Sequence, residues 1–235
     1  MPGGPPAGRL TVMNISPGDA IGGLYGFKSW YAGRLTPVRR RLVAADVPPA
    51  AITAAGVVFG GGAGVALAAL RPGPVAGLAA AALLAARLGC ANLDGGMARD
   101  GGRATPFGSV LNEAGDRAAE LAALAGCLAI APSVLVVTAA LAATLPSWVA
   151  LAGAAAGLGR VQGGPVGKTE RCLLLVLLAG FGHPVVFLSV LAGGSALTAA
   201  VRLVRIARLA RVAEPARTAG RARPFGGTPV SEGKR

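Results

Sequence analysis

Long apolar runs alternate with short polar punctuation along most of this chain. Residues 50–70, 74–93, 134–158 and 185–204 are dominated by Ala, Leu, Val and Gly. Two shorter runs, 117–131 and 170–182, complete a set of six. A helix that crosses hydrocarbon needs roughly 20 mainly apolar residues. The short runs meet that length only if their helices reach beyond the apolar stretch. The pattern therefore predicts an all-α, polytopic integral membrane protein with six transmembrane helices. Arg87 interrupts the second run, so its charged head must snorkel or meet a partner. Pro48 and Pro49 suit the start of the first helix. Gly56, Gly60 and Gly64 follow at four-residue spacing, a small-residue face for close helix contact within or between subunits.

Upstream, Leu24, Phe27, Trp30 and Tyr31 recur at helical spacing among Lys28, Arg34 and Arg39–Arg41. This predicts an N-terminal interfacial amphipathic helix with aromatic anchors, divided by Pro37. Three regions result: residues 1–48 as an N-terminal segment with this juxtamembrane helix, 49–212 as the membrane domain, and 213–235 as a disordered basic tail.

Composition agrees with the membrane class. Hydrophobic residues make up 53% and charged residues 14%, with mean hydropathy +0.60. A soluble domain carries about 25% charged residues. The formal net charge is +13. The basic residues flank apolar spans, so attraction to anionic membrane lipids accounts for them and no nucleic-acid partner is expected. Arg and Lys are dense before the first run, in the second loop, after the fourth run and at the C-terminus, and sparse between. By the positive-inside rule both termini and the second loop are cytoplasmic. Cys90, Cys127 and Cys172 lie in apolar runs without metal-type spacing and read as small buried residues, although Cys90 lies close enough to Asp94 to line a site there.

The chemistry concentrates between the second and third runs. Asp94-Gly-Gly-Met-Ala-Arg99 ends one apolar segment. Gly108, Asn112, Asp116 and Glu120 then recur every four residues, one polar stripe on a helix. Charge at a membrane boundary is costly and marks function. Asp94 facing this stripe would offer oxygen ligands to a hard divalent cation. Glu120 is either a further ligand or the partner of Arg87 or another buried cation. Glu113 and Arg117 form an i,i+4 pair that braces the helix. Gly163-Gly-Pro-Val-Gly-Lys168-Thr169 lacks the frame of a phosphate loop, and no strand precedes it.

The motif resembles the signature of the CDP-alcohol phosphatidyltransferase family, D-x-x-D-G-x-x-A-R-x8-G-x-x-x-D-x-x-x-D. Asp94, Gly95, Ala98, Arg99, Gly108 and Asp116 stand in register with it. Ala91 replaces the first Asp and Asn112 the third, marking a divergent member. The resemblance covers roughly residues 35–210.

The resemblance implies a membrane phosphotransferase of phospholipid biosynthesis. It would transfer a phosphatidyl group from a CDP-linked donor, first of all CDP-diacylglycerol, to an alcohol, and release CMP. It further implies that Asp116 is the catalytic base and that Gly95, Ala98, Arg99, Gly108 and Lys168 line the CDP pocket. Asp94, Asn112 and Asp116 would hold a divalent metal, Mg²⁺ or Mn²⁺. Lys168 and Arg171 are candidate phosphate contacts, or else simple positive-inside flanks. The expected partners are the CDP-lipid donor, the alcohol acceptor and membrane lipids, with a homodimer in the bacterial plasma membrane. The two replaced acids keep open a second reading, a catalytically weak member that binds lipid or nucleotide as an assembly subunit.

Overall fold

A computed structural model describes residues 25–221. Among them lie seven helices and no strand: α1 (Tyr25–Ala44), α2 (Pro49–Ala69), α3 (Pro74–Asp100), α4 (Pro106–Ala125), α5 (Ser133–Ala155), α6 (Lys168–Phe181) and α7 (Pro184–Arg221). A short 3-10 turn, Gly126–Ala129, follows α4. Proline opens α2, α3, α4 and α7, where its missing N–H costs no helix bond. At the start of α4, Thr105 Oγ1 accepts a hydrogen bond from the Gly108 amide at 2.9 Å. At the start of α6, the Glu170 carboxylate accepts one from the Gly167 amide at 3.0 Å. Each cap fixes where a site-bearing helix begins.

Among the described residues four helices are long and apolar enough to cross a membrane: α2, α3, α5 and the Pro184–Ala213 part of α7. Two of the expected runs differ in form. Helix α4 starts well before residue 117 and carries the whole polar stripe, so its charges lower its hydropathy. Helix α6 has 14 residues, about 21 Å of helix against a hydrocarbon core of about 30 Å. Helix α3 continues past residue 93 to Asp100, so Asp94–Arg99 is helix rather than loop.

Helix α1 covers the stretch of the expected amphipathic helix, but Pro37 lies inside it and does not divide it. Leu24 and the side chains of Phe27 and Trp30 lie outside the described residues. So do residues 1–23 and, of the expected tail, 222–235; the described helix α7 runs to Arg221.

Helix α2 packs on α3 and α4, α3 on α6 and α1, and α5 on α7. The core between them is built from Leu67, Leu84, Leu124, Leu178, Leu188 and Leu191 with many alanines. Large apolar side chains also point outward: Val58, Val75, Leu141, Trp148 and Leu197 are exposed. An apolar outside with paired charges inside is the arrangement a bilayer solvent favours.

The Gly56–Gly60–Gly64 face makes its contact within the subunit. A Cβ at Gly60 would overlap the Ala119 backbone, and one at Gly64 the Ala122 carbonyl. At these positions α2 and α4 approach backbone to backbone. Gly60→Val should therefore force α2 from α4 and destabilise the fold by at least the ~1–3 kcal/mol of an overpacked core. Thermal unfolding in detergent checks this, and an unchanged midpoint would contradict the close approach.

Candidate functional site

The close approach of α2 and α4 positions the site. It brings Thr53 of α2 and Asn112 of α4 to opposite sides of Asp94 on α3. Asp94 is 3% exposed, so its carboxylate depends on hydrogen bonds rather than water. Its Oδ2 accepts from Thr53 Oγ1 at 2.9 Å. Its Oδ1 accepts from its neighbour's amide, Gly95 N, at 2.6 Å and from Asn112 Nδ2 at 3.4 Å. Asp116 lies one turn beyond Asn112, and its Oδ2 is ion-paired with Lys168 Nζ from the start of α6.

These groups open onto one cleft of about 1080 Å³. All the residues expected from sequence line it: Asp94, Gly95, Ala98 and Arg99 from α3, Gly108, Asn112 and Asp116 from α4, and Lys168 from α6. A Cβ at Gly95 would contact Arg99 and Asn112 at 3.5 and 3.6 Å. Glycine there keeps the wall of the cleft open beside the carboxylate. Seven Arg and Lys side chains line the cleft against four carboxylates, so its walls are net positive. Arg99 is exposed and forms no ion pair among the described residues.

Other charged residues brace the site from behind. Glu120 is buried and accepts from Arg171 Nε and Arg117 NH1, each at 2.6 Å. Of the alternatives for Glu120, the structure shows a pairing with cations other than Arg87, the buried Arg171 and the part-buried Arg117. Arg171 is correspondingly held by Glu120. Arg87 meets partners without snorkelling: it donates to the Asp116 carbonyl at 3.1 Å and to Cys172 Sγ at 3.3 Å. Glu113 lies 3.6 Å from Arg117 and also pairs with Arg160 in the α5–α6 connection. Cys90 packs under Gly56, outside the cleft lining.

On the far wall, α1 is strapped to α3. Tyr31 donates its hydroxyl to the Ala85 carbonyl at 3.0 Å. Burial and the neighbouring Cys90 push its phenol above the usual tyrosine value, so it remains a donor. Arg39 pairs with Asp100 at 2.8 Å, and Arg103 with Asp46. Sequence reasoning missed Thr53, Tyr31 and Arg160 as contributors. Thr53 was legible in part, since it shares a helical face with Gly56, Gly60 and Gly64.

No family model matches the chain, and no curated protein matches it in sequence. Solved structures do. The phosphatidylinositol phosphate synthase of Mycobacterium tuberculosis with CDP-DAG bound aligns over 73% of this chain and 92% of that chain, with TM-score 0.58 and 26% identity. Its complex with manganese and citrate aligns over 73% and 88%, with TM-score 0.58 and 25% identity. Its apo form adds likeness of fold alone, at TM-score 0.51 and 21% identity over 74% and 94% of the two chains. The fold neighbours are phosphatidyltransferases. They belong to the CDP-alcohol phosphatidyltransferase family, whose signature the Asp94–Asp116 region resembles.

Proposed function

We propose that the protein is a membrane phosphotransferase that moves a phosphatidyl group from a CDP-linked donor, CDP-diacylglycerol in the first instance, to an alcohol. One observation carries this reading. Asp94, Gly95, Arg99, Gly108 and Asp116, matched to a transferase signature by sequence, converge with Lys168 on a single cleft. The neighbour's complex with CDP-DAG supports a CDP-lipid as donor.

In the reaction, Asp116 takes the proton from the alcohol hydroxyl. The alcohol oxygen bonds to the β-phosphorus, the bond from that phosphorus to the bridging oxygen breaks, and CMP leaves with the bridging oxygen. Arg99 and Lys168 face the diphosphate charge, and Gly95 and Gly108 let it approach the helix backbone. Thr53 and Asn112 hold Asp94 in place.

The neighbour's complex with manganese supports a divalent ion, Mg²⁺ or Mn²⁺. Asp94, Asn112 and Asp116 are the residues that would hold it. The donor chemistry fits one ion bound weakly: two carboxylates, one of them paired with Lys168, and an amide whose oxygen faces Asp94 after a half-turn. No group of three or more His, Cys, Asp and Glu side chains suited to a metal occurs among the described residues. When bound, such an ion neutralises diphosphate charge as the phosphoryl group transfers. Asn112→Asp adds a carboxylate, so it should lower the Mn²⁺ concentration needed for half-maximal CMP release. An unchanged or higher requirement would remove Asn112 from the ligand set.

Six spans, α2–α7, remain our reading of the topology, with α1 at the interface and both termini cytoplasmic. On α4 and α6 the charged groups Glu120 and Arg171 are buried, whereas Val110, Leu121, Leu173 and Phe181 are exposed. That is the polarity expected of helices facing lipid. The three native cysteines are buried, so an added one reports alone. Ala104→Cys, in the exposed α3–α4 connection, should be labelled by an impermeant reagent only from the cytoplasmic side. Labelling from outside intact cells would reverse the orientation.

A binding or assembly subunit is the second reading. Ala91, Asn112 and the Lys168 pairing of Asp116 favour it, because each lowers the negative charge available to a metal. CMP release from CDP-diacylglycerol by purified protein in lipid separates the two readings.

A further inference from the structure

The reaction described above makes no use of Arg87. This residue is 2% exposed, sits on a helix long and apolar enough to cross a membrane, and does not line the cleft. It forms no ion pair among the described residues. Glu120 is the nearby acid, and its oxygens go to Arg171 and Arg117. The guanidinium has two neutral acceptors, the Asp116 carbonyl at 3.1 Å and Cys172 Sγ at 3.3 Å, and its buried Nε has none. A buried cation so thinly compensated is costly. Packing does not call for it. Leu84, Leu124, Leu175 and Leu191 border the same void of about 10 Å³, and an apolar side chain would suit those neighbours better. A charge kept in a membrane span against such a cost marks function.

Its contacts say which function. Three helices carry the groups assigned to the reaction: Asp94 on α3, Asp116 on α4 and Lys168 on α6. Arg87 joins all three. Asp94 follows it by seven residues, two turns along one face of α3. The carbonyl it meets on α4 is that of Asp116 itself. Cys172 follows Lys168 by four residues, one turn along one face of α6. One nitrogen of a rigid planar fork bonds to α4 and another to α6, so the fork fixes the placement of both helices against α3.

We propose, on the strength of the transferase reading, that Arg87 is a positioning residue: from behind the cleft it holds Asp94, Asp116 and Lys168 in mutual register for the transfer step. Arg87 touches no part of the cleft, so its loss should act on rate rather than on substrate binding. A misplacement of reacting groups by about 1 Å can lower a rate roughly 10²-fold.

The test compares Arg87→Met and Arg87→Lys with wild type, each as the full chain. CMP release is measured in lipid nanodiscs from CDP-diacylglycerol, with glycerol, serine, inositol or their phosphates as the alcohol. Thermal unfolding is measured in detergent, and backbone amide hydrogen exchange is followed over α4 and α6. Methionine has a similar reach with neither charge nor donors. Arg87→Met should lower kcat about 10–100-fold and move KM by less than about threefold. Its unfolding midpoint should equal or exceed that of wild type, because an uncompensated charge has left apolar surroundings. Exchange should nonetheless quicken about tenfold or more at residues 113–120 and 168–172. Arg87→Lys keeps the charge but offers one ammonium to two acceptors, so its kcat should fall between the other two.

A midpoint that falls in step with kcat would make Arg87 a plain structural support and overturn the proposal. So would a wild-type kcat in Arg87→Met, or a loss confined to KM. If the wild type releases no CMP with any of these alcohols, the transferase reading fails by itself. The exchange measurement then decides: local quickening at an unchanged midpoint upholds the register held by Arg87, and unchanged exchange overturns it.

Discussion

Asp116→Asn is expected to reduce CMP release by about 10²–10⁴-fold, the range that positioned acid–base groups contribute. The amide keeps the side chain's shape and loses its capacity to take a proton. The Arg87 bond to the Asp116 backbone carbonyl is untouched by the change, so α3 and α4 should keep their spacing. CDP binding should survive, since Gly95, Arg99, Gly108 and Lys168 remain in place. Single-turnover CMP release beside CDP titration distinguishes chemistry from binding. Turnover at the wild-type rate would show that Asp116 is not the base.

The second large effect is on stability. Glu120 is 5% exposed and pairs with both Arg171 and Arg117. Glu120→Ala removes the one carboxylate paired with Arg171 and leaves Arg117 with Glu113 alone, at 3.6 Å. Breaking a buried ion pair by deleting one partner costs about 3–5 kcal/mol. Helix α6 has only 14 residues and bears Lys168 at its first position, so freeing Arg171 should also loosen the cleft wall. The expected result is a lower unfolding midpoint in detergent together with weaker CDP binding. Glu120→Gln should be milder, because the amide oxygen still accepts a hydrogen bond. Wild-type stability in Glu120→Ala would mean that water or lipid headgroups reach Arg171.

What was legible in the sequence follows from periodicity. The four-residue spacing of Gly108, Asn112, Asp116 and Glu120 places them on one helical stripe, and α4 carries all four. The same rule applied to Gly56, Gly60 and Gly64 identified a close helix contact, but not its partner. For Gly60 and Gly64 that partner is α4, whose Ala119 and Ala122 offer nothing distinctive in a chain so rich in alanine, while Gly56 meets Cys90 of α3. Hydropathy found the four long helices and the two weaker runs. It misplaced the starts and ends around the motif, because charged residues paired inside the fold read as loop when counted one by one. Long-range ion pairs were illegible for a related reason. Many arginines compete for few acids, and only the fold decides that Arg171 meets Glu120 while Arg160 meets Glu113. Lys168 was singled out through the resemblance, yet its partner Asp116 lies 52 residues away in sequence.

The most direct test of the functional reading is incubation of the purified protein in lipid with CDP-diacylglycerol and a panel of alcohols, with mass spectrometry of both CMP and the lipid products. The transferase reading predicts CMP and one new phosphatidyl-alcohol in equal amounts, lost on chelation of Mg²⁺ or Mn²⁺ and in Asp116→Asn. No CMP and no new lipid with any alcohol or metal would contradict it and leave a nucleotide- or lipid-binding subunit.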